Sequence, residues 1–127
     1  MIYFVERIIF MEISKDLLEL LLPSFIVSHF TFIKSNTSEE QIHLYFEEKN
    51  EVSLFEGRKV ESKGFHNEIV IEDFPLRGKL VYMHIKRRRW RDLDTQETLQ
   101  RDWNVIAKGT RMTEEFAIFL KEINRQE

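Results

Sequence analysis

Hydrophobic and polar residues alternate most regularly between residues 64 and 90. GFHNEIVIEDF and KLVYMHIKRRRW are both rich in β-branched and aromatic residues. They flank PLRG, with Pro75 at its start and Gly78 at its end. This pattern predicts two strands joined as a hairpin of the longer-loop kind. A turn centred on Arg77 pairs Ile69 with Ile85 and Ile71 with Met83, and puts Val81 on the same side. The other side then carries Glu68, Tyr82, His84, Lys86, Arg88 and Trp90. A slip of one residue would scramble this division, so agreement on one apolar face supports the register.

The remaining pattern is coarser. In QIHLYFEE, Ile42, Leu44 and Phe46 alternate with Gln41, His43 and Tyr45, the period of a half-buried strand. SFIVSHFTFI, residues 24–33, fits a helix or a strand. Residues 47–62 read as a loop or weak strand around Gly57, DLDTQETL as a turn, and LQRDWNVIAKG as a third, irregular strand. Ser14 is an N-cap for KDLLELLL, Asp16 suits the first turn of that helix, and Pro23 ends or kinks it. Thr113 caps EEFAIFLKEIN, whose Phe116, Phe119, Leu120 and Ile123 form one helical stripe. Glu114 and Glu115 in its first turn favour the helix dipole. Together these elements predict one α+β domain over residues 1–127. It has a small antiparallel sheet, an N-terminal helical segment and a C-terminal amphipathic helix. Residues 113–124 also read as the first helix of a truncated helix-turn-helix.

Composition narrows the class. A chain of 127 residues that is 43% hydrophobic and 32% charged is a globular domain. With no cysteine it forms no disulfide and no thiolate zinc site, so a reducing cytoplasm is the expected setting. No apolar run reaches the roughly 18 residues of a membrane span. Residues 1–10 are apolar but interrupted by Glu6 and Arg7. They read either as an over-extended start before Met11 or as a short element packed on the core.

Charge changes the picture more. Residues 1–76 hold 7 Lys and Arg against 14 Asp and Glu, and residues 77–127 hold 12 against 8. A net charge of −3 therefore hides a basic second half, centred on HIKRRRWRD at residues 84–92. A packed sheet cannot bury three arginines without partners, so this strand is expected to project past the core into solvent. Lys86, Arg87, Arg88, Arg89 and Arg91 would then neutralise phosphates, and Trp90 or Tyr82 would stack on a base. Arg77, Lys79, Arg101, Lys108 and Arg111 would widen the patch if the third strand lies alongside. The competing reading is a solvated strand end with cross-strand pairs such as Glu68 with Lys86, each worth under ~1 kcal/mol. Residue types leave both readings open.

Catalytic chemistry is not legible. His29, His43, His66 and His84 lack metal-ligand spacing. His66 and His84 share a face of the expected hairpin without a third ligand. Asp92 and Asp94 suit a turn, and Asp73 precedes the Phe74-Pro75 bend. There is no GxSxG, phosphate-binding loop or dinucleotide turn. The expectation is a non-enzyme with no cofactor and no metal.

IEDFPLRGKLVYMHIKRRRWRDLDT, followed by KGTRMTEEFAIFLKEI, resembles the N-terminal region encoded by the first reading frame of two-frame bacterial insertion-sequence transposases. The similarity runs over most of the chain from Met11 onward. More distantly, the segment resembles the N-terminal zinc ribbon of single-chain transposases, in which a basic hairpin precedes cysteines and a TRR(L/M)T segment opens a helix-turn-helix. Here Arg91 and Asp92 follow Trp90 where a metal ligand would be expected, so apolar packing would have to hold such a ribbon. The resemblance implies binding to the element's terminal inverted repeats during DNA transposition, with association to the nucleoid when bound. Nuclease chemistry would come from a second reading frame, joined by frameshifting or supplied as a partner chain. Two rivals stand beside this: a module that docks on the catalytic transposase subunit, and a regulator that competes for the same DNA ends. Target sequence and homo-oligomer formation stay open.

Overall fold

The computed structural model describes residues 20–126. In chain order the elements are α1 (Ser24–His29), β1 (Phe30–Thr37), β2 (Gln41–Glu48), a 3-10 turn (Val52–Phe55), β3 (Val60–Phe65), β4 (Ile69–Leu76), β5 (Lys79–Lys86), β6 (Arg88–Asp92), β7 (Thr98–Leu99), α2 (Trp103–Lys108) and α3 (Glu114–Gln126). The expected cap at Ser14, the first-turn Asp16, the start at Met11 and the reading of residues 1–10 lie outside the described residues. Leu20 and Leu21 are helical, and the chain leaves that helix before Pro23. No described helix is long and apolar enough to cross a membrane.

The strands form a four-stranded sheet in the order β1-β2-β5-β4 and a three-stranded sheet in the order β3-β6-β7. This is the α+β class that the sequence pattern predicts. Two antiparallel hairpins, β1-β2 and β4-β5, build the larger sheet. They meet along a parallel seam between β2 and β5, a pairing that alternation within each strand does not disclose. Only Arg87 separates β5 from β6, so one nearly continuous path serves both sheets.

The β4-β5 register is the expected one, with Ile69 opposite Ile85 and Ile71 opposite Met83. The loop is shorter than expected. Leu76 pairs with Lys79 across a two-residue turn, and both turn residues have positive φ, 51° at Arg77 and 78° at Gly78. This is the type I′ geometry that matches strand twist. The register shifts by one between Asp73 and Leu76. Pro75, which has no N–H to donate, sits in that bulge.

Two ambiguous stretches resolve for local reasons. SFIVSHFTFI is both helix and strand: the amides of Ile26 and Val27 donate to Pro23 O at 3.0 and 3.3 Å, and the chain turns extended at Phe30. LQRDWNVIAKG is not a third strand. Only Thr98 and Leu99 pair with β6. The Asp102 carboxylate then accepts from the amides of Asn104 and Val105 at 3.0 and 3.2 Å and starts α2. An aspartate N-cap outweighed the β-branched residues behind it.

The core lies between the helices and one face of the larger sheet. Phe25 and Ile26 of α1, Trp103 of α2, and Phe116, Phe119 and Ile123 of α3 pack on Phe46, Ile69, Ile71, Met83 and Ile85. Aromatic rings dominate: Phe25 stacks on Phe116 at 4.8 Å, and Trp103 meets Phe119 edge-on at 5.0 Å. Thr113 caps α3 as expected, its Oγ1 accepting from Phe116 N at 3.2 Å. The apolar stripe of α3 is thus spent on packing against the sheet.

Arg77 holds a left-handed conformation that costs a residue with a Cβ roughly 1–2 kcal/mol. Arg77→Asn would create the Asn-Gly pair favoured in this turn. It should raise stability by about 0.5–1 kcal/mol in urea unfolding; a loss would show that the arginine side chain contributes more than its backbone costs.

Candidate nucleic-acid interface

β6 sorts its residues by the strand's twofold period. Arg88, Trp90 and Asp92 point inward, and Arg89 and Arg91 point outward and are exposed. The expectation of a strand end projecting into solvent therefore needs correcting. Trp90 is fully buried, its Nε1 donates to Asn50 Oδ1 at 2.8 Å, and Phe55 packs edge-on at 5.3 Å. It is a core anchor, closed to a base. Arg87 and Arg101 are also buried, at 2% and 7% exposure.

The burial of Arg101 follows from one carboxylate. Glu48 ends β2 with 1% exposure. Its Oε2 accepts from Arg101 Nε at 2.8 Å, and its Oε1 accepts from the Arg88 backbone N–H at 3.1 Å. Arg88 Nε donates to Glu48 O at 3.0 Å, and Arg88 Nη1 donates to Ser62 Oγ at 2.7 Å. Arg101 Nη2 also lies 3.2 Å from Glu51 Oε1. Burial pushes the Glu48 carboxyl upward, while hydrogen bonds from Arg101 and Arg88 and the charges of Arg101 and Arg87 oppose that push. Arginines were expected outside because burial needs partners. Glu48 is such a partner, but it lies 40 residues from Arg88.

Asp92 anchors the far end of β6. The amides of Asp94 and Thr95 donate to its Oδ1 at 2.8 and 3.0 Å, and Arg58 Nε donates to its Oδ2 at 2.6 Å. The local turn bonding expected of this aspartate is present. The Thr95 amide, then Arg58, hold its carboxyl down at about 2. Arg58 also bridges to Glu97 at 2.7 Å.

The expected basic set is divided. Arg77 and Lys79 sit at the hairpin tip, where Lys79 Nζ donates to Ser38 O at 2.7 Å. At roughly 3.3 Å per residue, the eight residues of β5 put roughly 25 Å between that tip and Arg87. Lys86 is half-buried on the open face of the larger sheet. Lys108 and Arg111 are exposed around the loop between α2 and α3. Arg89 and Arg91 remain on the outer face of the smaller sheet. Arg89 Nη2 donates to Lys63 O at 3.3 Å, and Arg91 lies opposite Glu61 and Thr98. Beside them is a polar cleft lined by His66, Asn67, Arg87, Arg89, Gln100 and Gln126. Arg87 Nη2 donates to Gln126 Oε1 there at 2.9 Å.

A second constellation was missed by sequence reasoning. His43 Nδ1 lies 2.7 Å from His84 Nε2, His84 Nδ1 lies 2.7 Å from Glu68 Oε1, and His43 Nε2 lies 2.9 Å from Gln41 Oε1. His84 thus meets His43, where the hairpin alone had associated it with His66, and Glu68 turns to His84 where Lys86 had been expected. The signal lies in the parallel register of β2 on β5, which sets His43 beside Tyr82 and Tyr45 beside His84. Among the described residues, no group of three or more His, Asp or Glu side chains is placed to hold a metal ion.

No protein-family model matches this sequence, and no curated protein or solved structure is significantly similar to it.

Two stability experiments probe this region. Glu48→Ala leaves Arg101 buried without its carboxylate and should cost about 3–5 kcal/mol in urea unfolding; a cost below about 1 kcal/mol would remove Glu48 from its organising role. Asp92 has a folded-state value near 2, below its ordinary 3.8. Its contribution is therefore present above the ordinary value and lost as pH falls from about 4 through about 2. Asp92→Asn should flatten the stability–pH curve in that window, read by thermal unfolding.

Proposed function

We propose that the outer face of the β3-β6-β7 sheet contacts the phosphate backbone of DNA. Arg89 and Arg91 are the principal cations and the Arg87-lined cleft adjoins them. The observation that carries this reading is the division of labour along β6. Its inward side chains are consumed by Glu48, Asn50 and Arg58, while two arginines one strand period apart stay exposed. Glu61, opposite Arg91, is paired to Lys63 Nζ at 2.5 Å, so the face keeps a positive balance. Such contacts position a protein on DNA without reading sequence. In the setting that the transposase resemblance implies, specificity and strand cleavage would belong to the catalytic part, and this domain would hold the element ends.

One observation favours the rival docking module. At the other end of the larger sheet, Phe74 is 74% exposed and Leu76 50%. They line an apolar groove with Leu20, Leu21 and Leu22. A partner chain seated there would leave the basic face free.

Titration against duplex DNA at several salt concentrations tests the main reading. Binding should weaken steeply with salt, and the double variant Arg89→Ala, Arg91→Ala should reduce the log–log slope by about 2. Arg77→Ala, at the distant tip, should leave the slope unchanged. Absence of binding at low salt would overturn backbone contact and leave the docking reading.

A further inference from the structure

The His43–His84 pair lies on the open face of the four-stranded sheet, opposite the helices. Two ring nitrogens face each other there, His43 Nδ1 and His84 Nε2, 2.7 Å apart. The far nitrogen of each ring has its own oxygen partner: His84 Nδ1 meets Glu68 Oε1 at 2.7 Å, and His43 Nε2 meets Gln41 Oε1 at 2.9 Å.

We propose that His43 and His84 are the protein ligands of a divalent transition-metal site, suited to Zn²⁺ or Cu²⁺. Neutral imidazole is the preferred ligand of these ions, and metal-binding histidines donate their second N–H to a carboxylate or carbonyl that fixes the ring. Glu68 and Gln41 occupy those outer positions. The rings are also clamped by aromatic neighbours: Tyr82 stacks on His43 at 5.1 Å and Tyr45 on His84 at 4.3 Å. Two bonds of about 2.0–2.1 Å at a tetrahedral angle place ligand nitrogens roughly 3.3 Å apart. The pair therefore opens by roughly 0.6 Å to admit the ion, a small side-chain rotation. The surrounding charge favours a cation modestly. Glu47, Glu68 and Glu72 alternate onto this face against Lys34 and Lys86, and Lys34 Nζ is drawn over the Tyr45 ring at 4.8 Å. Two protein ligands leave two coordination positions for water or an external donor, so this is an open site.

Zn²⁺ titration of the untagged full chain by calorimetry tests it. The expected result is saturable binding of one ion per chain at micromolar Kd. Either His43→Gln or His84→Gln should weaken binding at least tenfold, and Glu68→Gln by roughly 10–100-fold, with circular dichroism unchanged. Imidazole ¹⁵N signals of His43 and His84 should move on adding Zn²⁺ while those of His29 and His66 stay. Absence of saturable binding, or binding undiminished in the double histidine variant, would overturn the site and leave the pair as two hydrogen-bonded rings.

Discussion

The buried carboxylate of Glu48 is the constraint on which the rest of the arrangement depends. It ends the central strand β2 at the point where the two sheets meet, and a buried charge there is tolerable only if it is fully paired. Arg101, from the segment before α2, supplies the guanidinium. Arg88 supplies a backbone N–H to the carboxylate and a guanidinium bond to the adjacent carbonyl. One side chain thus ties β2, β6 and the approach to α2 together. It also sets which arginines of the basic run stay outside, because seating Arg88 inward forces Arg89 and Arg91 to the other face.

What could be read from the sequence followed the range of the interactions. The β4-β5 register and the stripe of α3 were legible because their determinants lie within a few residues: alternation on either side of a turn, or a 3.6 period behind a threonine cap. The end of α1 and the start of α2 are equally local. They were obscured by competing signals, aromatic and β-branched residues whose strand preference lost to Pro23 and to the Asp102 cap. The site was less legible. Whether an arginine is a surface contact or a buried partner depends on a carboxylate far along the chain, and no periodicity marks that carboxylate. Trp90 was misplaced for the same reason, since its partner Asn50 belongs to another part of the chain.

The two faces of the larger sheet show how burial allocates chemistry. One face is covered by three helices and carries almost purely apolar and aromatic groups. The other keeps polar aromatics, histidine and tyrosine, in a stacked row across β2 and β5. Alternation along each strand assigns residues to a face, but only the pairing of strands assigns them to each other. His43 and His84 became neighbours through that second step.

The parallel seam between β2 and β5 also bears on the order of assembly. Each hairpin closes over a short loop, whereas the seam joins Gln41 to Leu80 and encloses the 3-10 turn, β3 and β4. Closing so long a segment has an entropic cost that must be met before its contacts can compensate. Local closure therefore favours the β1-β2 and β4-β5 hairpins as units, and their docking carries the larger loop-closure cost. Glu48 lies at the end of that seam, so its guanidinium partners lock in place only after the seam has closed. The buried ion pair then acts as a latch on a completed topology.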